Sequence, residues 1–331
     1  MKSKLLSNSK FMVSFSNFNR NYSILYVLIG LMILLSFLTD RFLSVPNIMV
    51  ILRQATIVAI IASGQFLILV SGNIDLSVGS IVTLAGVVFA GAMVFFEISA
   101  VVAGILAVLV GLAIGLINGI LVTKVGLPAF IATMATMTSC AGAALLLTRA
   151  SPIVRLPDSI DWIGRGVLGD IHSFGIPYMV FMLIGVYIIM YIVTEKTNFG
   201  RYVFAIGGNP EAAYLSGIKT TKYKIATFVV SGVIAGFGAI LLVSRLGVAD
   251  PHAGSGYEFQ TITACVIGGT AITGGKGKLF GVLLGAIFLT TLFNGMTLLN
   301  VNSFVQQIVQ GIVLAVAVGV NTIRSKNDAK N

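Results

Sequence analysis

The chain has 331 residues, of which 57% are hydrophobic and only 10% charged. A soluble domain carries about 25% charged residues to solvate its surface, so this composition excludes a cytosolic enzyme, a secreted disulfide scaffold and a disordered protein, and points to a polytopic membrane protein. The net charge of +10 punctuates apolar runs instead of clustering on one water-soluble module, which marks topology rather than nucleic-acid binding.

A polar segment over 1–23, with Lys2, Lys4, Lys10 and Arg20, precedes the first apolar run at 24–39. It is long for a signal n-region, and no small-residue cleavage site follows the run, so the run reads as a retained transmembrane helix. Further apolar runs lie at 48–71, 78–96, 99–122, 127–148, 177–194, 225–243, 259–272, 279–299 and 303–321. A span takes about 20 apolar residues. The expected fold is therefore all-α, a membrane domain over 24–321 with about ten transmembrane helices, which admits two pseudo-symmetric halves, and a tail at 322–331. The 259–272 run, short and rich in Gly and Thr, carries the weakest signal.

With ten spans and the N-terminus inside, every lysine falls on the cytoplasmic side. Only Arg41, Arg53, Arg149, Arg155, Arg165 and Arg245 are left outside, which is the bias that the positive-inside rule requires. Two loops are too long to be mere connectors. The 149–176 loop, expected outside, holds the only tryptophan, Trp162, with Asp158, Asp161 and Asp170, and the 195–224 loop is expected inside.

Several chemistries are missing. The nearest approach to a phosphate-binding loop is GGTAITGGKGK at 268–278, where neither lysine is followed by Ser or Thr and the first-glycine position is Thr270 or Ile272, so a basic turn between spans is the better reading. No H-E-x-x-H or nucleophile elbow is present, and His172 and His252 stand far apart in external loops. Cys140 and Cys265 sit inside apolar stretches without metal-ligand spacing. No catalytic residue, metal or cofactor is expected in this chain.

In chain order, SGNIDLSVGS at 71–80 breaks an apolar stretch with two glycines, an asparagine and an acid. Broken membrane helices are tolerated where they pack in protein or line a cavity. Asn73, Asp75 and Ser77 fit two readings there: a cap for the next helix, or a place on a translocation path. Gly111, Gly115 and Gly119, the pair Gly232 and Gly236, and the pair Gly281 and Gly285 recur every four residues, the spacing of close helix packing, for which intramolecular contacts are the simpler account. Gln54 and Gln65 share one helical face, as do Ser303, Gln306 and Gln310, and Thr290, Asn294 and Thr297. Interhelical hydrogen bonds account for any single one of these residues, but together the stripes favour a neutral polyhydroxylated ligand. Within 195–224, Pro210 can open a short helix, Glu211 then occupies its first turn and Gly217 can close it, giving a compact surface element over 209–218.

GGNPEAAYLSGI at 207–218 resembles the cytoplasmic coupling segment of permease subunits of ATP-binding cassette importers, in the ribose, xylose and galactose branch. SGNIDLSVGS is similar to the family's signature after its second helix, and ACVIGGTAITGGKGKLFGVLLGA to its late glycine-rich hairpin, although Asn73 takes a position where glycine is common. The resemblance covers nearly the whole chain. It implies a bacterial inner-membrane protein with both termini cytoplasmic, contacting an ATPase subunit through Gly208, Asn209, Pro210, Glu211, Ala212, Ala213, Gly217 and Ile218. It also implies a second permease subunit, identical or related, an extracytoplasmic sugar-binding protein, and a monosaccharide passing between the subunits. Two rivals are an ion-coupled secondary transporter, for which the spans offer little charge apart from Arg53 and Asp75, and a membrane-embedded enzyme.

Overall fold

The computed structural model describes residues 23–169 and 175–328. The basic residues up to Arg20, together with Asp170 and His172, lie outside the described residues. The helices are α1 (Ser23–Leu38), α2 (Val45–Val70), α3 (Val78–Phe96), α4 (Ala100–Ile120), α5 (Ala129–Thr148), the short α6 (Asp161–Gly164), α7 (Tyr178–Tyr191), α8 (Asn198–Gly208), α9 (Pro210–Leu215), α10 (Thr220–Leu246), α11 (Tyr257–Ile267), α12 (Leu279–Leu298) and α13 (Ser303–Asp328). A two-residue antiparallel ladder, β1 (Val167–Leu168) with β2 (Ile176–Pro177), folds the loop before α7. The fold is all-α and polytopic: in hydrocarbon each backbone polar group needs a partner within its own segment, which a helix provides.

Among the described residues eight helices are long and apolar enough to cross a membrane, and Ile24–Leu38 forms a shorter apolar helix. The 259–272 run differs from its expected role as a span. Its helix, α11, has 11 residues, about 16 Å of rise against a hydrocarbon core of about 30 Å. The preceding residues descend in turns, with Ala253 N–H donating to Asp250 O and Tyr257 N–H to Gly254 O. Gly254 N–H donates to Thr83 Oγ1 at 3.0 Å, in the second turn of α3, while the far end of that helix at Phe96 is about 20 Å further along its axis. α11 thus begins well inside the bundle. Small residues let it pack closely: Gly268 and Gly281 meet backbone to backbone, as do Gly285 and Ala264, so the short α11 and the full-length α12 form a tight hairpin.

The packing centre is α10, which contacts α2, α3 and α4. The glycines at four-residue spacing on α4 mark its closest approach: a Cβ on Gly111 would lie 2.0 Å from Gly232 O, and one on Gly115 2.4 Å from Phe228 O. Small residues allow this approach, and backbone dispersion then holds the pair. Both cysteines are buried free thiols, and Cys265 Sγ donates to Ala62 O. At the other extreme, none of the 21 residues of the span Ser303–Ile323 in α13 is buried.

The loops segregate to two ends. At one end the 268–278 turn meets the end of α2 and α8, with Gly275 N–H donating to Val70 O at 2.9 Å. At the other, Ile153 pairs with Ala249, Arg53 donates to Arg165 O at 2.8 Å and Arg165 to Leu246 O. Among the described residues the first end carries Lys196, Lys219, Lys276 and Lys278, and the second carries Arg53 and Arg165 but no lysine, in line with the division read from the sequence.

Candidate functional site

The short span of α11 leaves space beside it. A groove of about 600 Å³ opens between its N-terminus and α13, with Ser255, Gly256, Glu258, Gln260, Gln306 and Gln310 on its walls. Gly256 adopts φ +90°, a left-handed turn that glycine makes without strain and that aims the first turn of α11 into the groove. Glu258 is 7% exposed, and its Oε1 accepts from Gly256 N–H at 3.1 Å, so the carboxylate is oriented by the helix start. Gln310 Nε2 donates to Gly256 O at 3.1 Å, and Gln306 Nε2 donates to Val301 O at 3.0 Å and to Thr297 Oγ1 at 3.3 Å. Amides, a hydroxyl and one carboxylate on the groove walls can exchange hydrogen bonds with hydroxyl groups of a ligand. No metal-binding group of three His, Cys, Asp or Glu occurs among the described residues.

The other polar candidates are not brought to this groove. Asp75, 1% exposed, accepts through Oδ1 from Ser77 N–H at 2.7 Å and Ser77 Oγ at 2.6 Å. Asn118 Nδ2 donates to Ser77 Oγ at 2.8 Å, and Thr136 Oγ1 to Asn118 Oδ1 at 2.7 Å. This chain ties the entry to α3 onto α4 and α5, with Asp75 closing a turn onto Ser77, while the side chain of Ser77, at the N-cap position, makes no cap bond to α3. Asn73 Nδ2 turns back to Ser71 O and Oγ. Gln65 is fully buried on α2, and neither of its side-chain amide atoms has a hydrogen-bond partner, while Gln54, on the same face, is half-buried. Asn294 Nδ2 donates to Asn47 Oδ1 at 2.8 Å, linking α12 to α2.

At the lysine-bearing end, α9 stands out from the bundle. Asn209 Oδ1 accepts from Ala212 N–H at 3.0 Å, Pro210 occupies the first turn, where its missing N–H removes no bond, and Gly217 at φ +82° closes the helix. Gly217 N–H donates to Tyr214 O and Ile218 N–H to Ala213 O, a paired C-terminal closure that a left-handed glycine permits. Ala213 is buried and Ile218 half-buried, whereas Gly208, Asn209, Pro210, Glu211 and Ala212 are exposed. Tyr214 and Leu215 are 68% and 79% exposed, an apolar pair offered to water at a helix end. Behind them, Gly207 is wedged against the bundle, where a Cβ would lie 1.7 Å from Val70 O and 2.6 Å from Gly275 N. α8, the end of α2 and the turn before α12 therefore meet through backbone alone.

A family described as branched-chain amino acid transport system / permease component matches residues 47–318. The chain belongs to this permease family. Over 320 residues the permease is 38% identical to a ribose import permease of Bacillus subtilis, covering 96% of this chain and 98% of that one. It is 38% identical over 298 residues to a ribose import permease of Escherichia coli K12, covering 89% and 91% of the two chains. A D-allose transport system permease of the same strain is 35% identical over 288 residues, covering 87% and 86%. No solved structure matches the permease.

Sequence reasoning placed Gln306, Gln310 and Ser303 on one face, and all three line the groove. It missed Glu258 and Gln260. A signal for Glu258 was available, since it is an acid at the edge of an apolar run, two residues after Gly256. A full-length span over 259–272 would have set it at the membrane surface, where a charge calls for no explanation.

Proposed function

We propose that this permease is the membrane subunit of an ATP-binding cassette importer and forms the path for a neutral monosaccharide. The groove beside α11 carries the reading, because its walls combine amide, hydroxyl and a single carboxylate. The relatives named for ribose and allose transport support the sugar class. A zwitterionic amino acid, which the family description mentions, would call for a cation opposite its carboxylate, and no Lys or Arg lines the groove.

In this reading α9 is the seat of the ATPase subunit, with Tyr214 and Leu215 as its apolar anchor and Glu211 as its charge. ATP hydrolysis belongs to that subunit. The lysine-bearing end faces the cytoplasm, in keeping with the positive-inside rule, and the loop with Trp162 faces the extracytoplasmic binding protein. A second permease, identical or related, covers the exposed face of α13. That face carries Gly311, Ala315 and Gly319 at four-residue spacing, and a Cβ on either glycine meets nothing within 4 Å, unlike the glycines that α4 and α10 bury against each other. The partner closes the open side of the groove, so the path runs between two subunits. ATP-driven closure moves α9, and the Gly207 junction carries that motion to α2 and to the turn joining α11 to α12.

The decisive experiment is uptake of labelled ribose and of other neutral pentoses and hexoses in proteoliposomes, with the cognate ATPase and binding protein. Accumulation should require hydrolysable ATP and survive an ionophore, and Glu258→Gln should lower it without releasing the ATPase. Uphill uptake by the permease alone that an ionophore abolishes would establish an ion-coupled secondary transporter instead.

A further inference from the structure

A second cavity, of about 740 Å³, lies away from α13, between the outer halves of α4 and α7. Its floor is the wall of the core: Phe89 is 1% exposed and Leu241 is fully buried. One rim is formed by Val101, Ile105 and Leu109 of α4, which are 75%, 54% and 49% exposed on a helix that crosses the hydrocarbon. The polar groups on the lining, Ser99 and Ser159, lie at the start of α4 and in the loop before α6, and Trp162 stands with them. Trp162 packs edge-on against Tyr178, with ring centroids 6.3 Å apart. Trp and Tyr settle at the level of lipid headgroups, so the cavity is graded, apolar at depth and polar at the membrane interface.

We propose that this cavity is a binding site for one acyl chain of a phospholipid from the leaflet on the Trp162 side. Water does not fill an apolar cavity, and an empty one forfeits the dispersion contacts of its walls. The chain runs along α4 from Ser99 toward Leu109, about 15 Å at 1.5 Å per residue, with its ester end beside Ser159 and Trp162. The hydrophobic effect does not select this site, because the chain leaves one hydrocarbon medium for another. Recession does: the chain touches the floor, both walls and the loop above at once, whereas a lipid on the outer rim touches one side. The occupant braces the segment carrying α6, whose Gly164 packs against the backbone of Ser244 and Arg245. The inference does not depend on what the permease transports.

Trp162 is the only tryptophan, so its fluorescence reports the site directly. The purified full-length permease in detergent is titrated with a phosphatidylcholine brominated on its acyl chains, against the unbrominated lipid. Wild type should lose most of its fluorescence in a saturable step at low lipid, and native mass spectrometry should find a phospholipid retained after delipidation. Gly104 lines the cavity, and a Cβ there meets only side chains, Ile240 Cδ1 at 3.4 Å and Phe89 Cε2 at 4.0 Å, so Gly104→Leu fills the space without a backbone clash. It should abolish the saturable step and leave only the shallow quenching of lipid around the rim. Equal quenching in both proteins, or wild type that retains no lipid, would overturn the site. So would a co-purifying polypeptide cross-linked in the cavity, which would assign it to a partner helix. If Gly104→Leu does not fold, Ile105→Trp in a Trp162→Phe background gives a second reporter on the rim, where the same saturable step is expected and its absence is decisive.

Discussion

The junction at Gly207 invites a perturbation whose size follows from the coordinates. A Cβ there would lie 1.7 Å from Val70 O, 2.6 Å from Gly275 N and 2.9 Å from Val70 C. Ordinary contact begins near 3.4 Å, so Gly207→Ala must drive α8 from the end of α2 by roughly 1.7 Å, or break the 2.9 Å bond from Gly275 N–H to Val70 O. Overpacking of this kind costs about 1–3 kcal/mol, and the lost bond adds about 1 kcal/mol. The exposed face of α9 is untouched, so the ATPase subunit should still bind while its work no longer reaches α2. The expected result is ATP hydrolysis retained and sugar uptake reduced at least about ten-fold, the equivalent of about 1.4 kcal/mol. Gly208 supplies the control at the next position. A Cβ there meets nothing within 4 Å, so Gly208→Ala should behave as wild type. Uptake and ATPase activity measured together in proteoliposomes separate the two variants, and equal uptake would refute transmission through this contact.

Other outcomes follow from the same geometry. Glu211→Lys reverses a charge in the first turn of α9, unfavourable by about 0.3–1 kcal/mol for the helix, and should uncouple uptake from ATP hydrolysis while membrane expression is unchanged; transport at the wild-type rate would move the ATPase contact elsewhere. Asn118→Ala removes two buried hydrogen bonds, from Thr136 Oγ1 and to Ser77 Oγ, and leaves Thr136 Oγ1 only the carbonyls of Ala132 and Thr133, so thermal unfolding in detergent should show a loss of about 1–3 kcal/mol for the two bonds, whereas an unchanged midpoint would argue against a structural network at Asp75. Ala315→Cys should form a symmetric disulfide dimer in native membranes on mild oxidation, and Val101→Cys, on the far rim of α4, should not; the reverse pattern would place the second subunit on the other face.

Much of the permease was legible because its signals are local. Each apolar run needs only its own length to become a helix, and the broken segment at 71–80 was recognisable from residues adjacent in sequence. The element at 209–218 was fixed by Asn209, Pro210, Glu211 and Gly217, which act on backbone groups within one turn. The glycines at every fourth position announced close packing but not a partner: spacing states that a backbone can approach, and only the tertiary fold set Gly111 against Gly232 and left Gly311 bare. The polar stripes were visible as faces, yet the same amide faces a cavity at Gln310 and a neighbouring asparagine at Asn294. The depth of α11 was hidden for the same reason. Hydropathy counts how many residues prefer hydrocarbon and takes no account of the vertical distance they travel, which here depends on a tight glycine hairpin and a turn hung from Thr83. Sequence alone thus determined the membrane class and the capped surface element at 209–218, whereas the groove and its carboxylate Glu258 exist only because packing stopped one helix half-way.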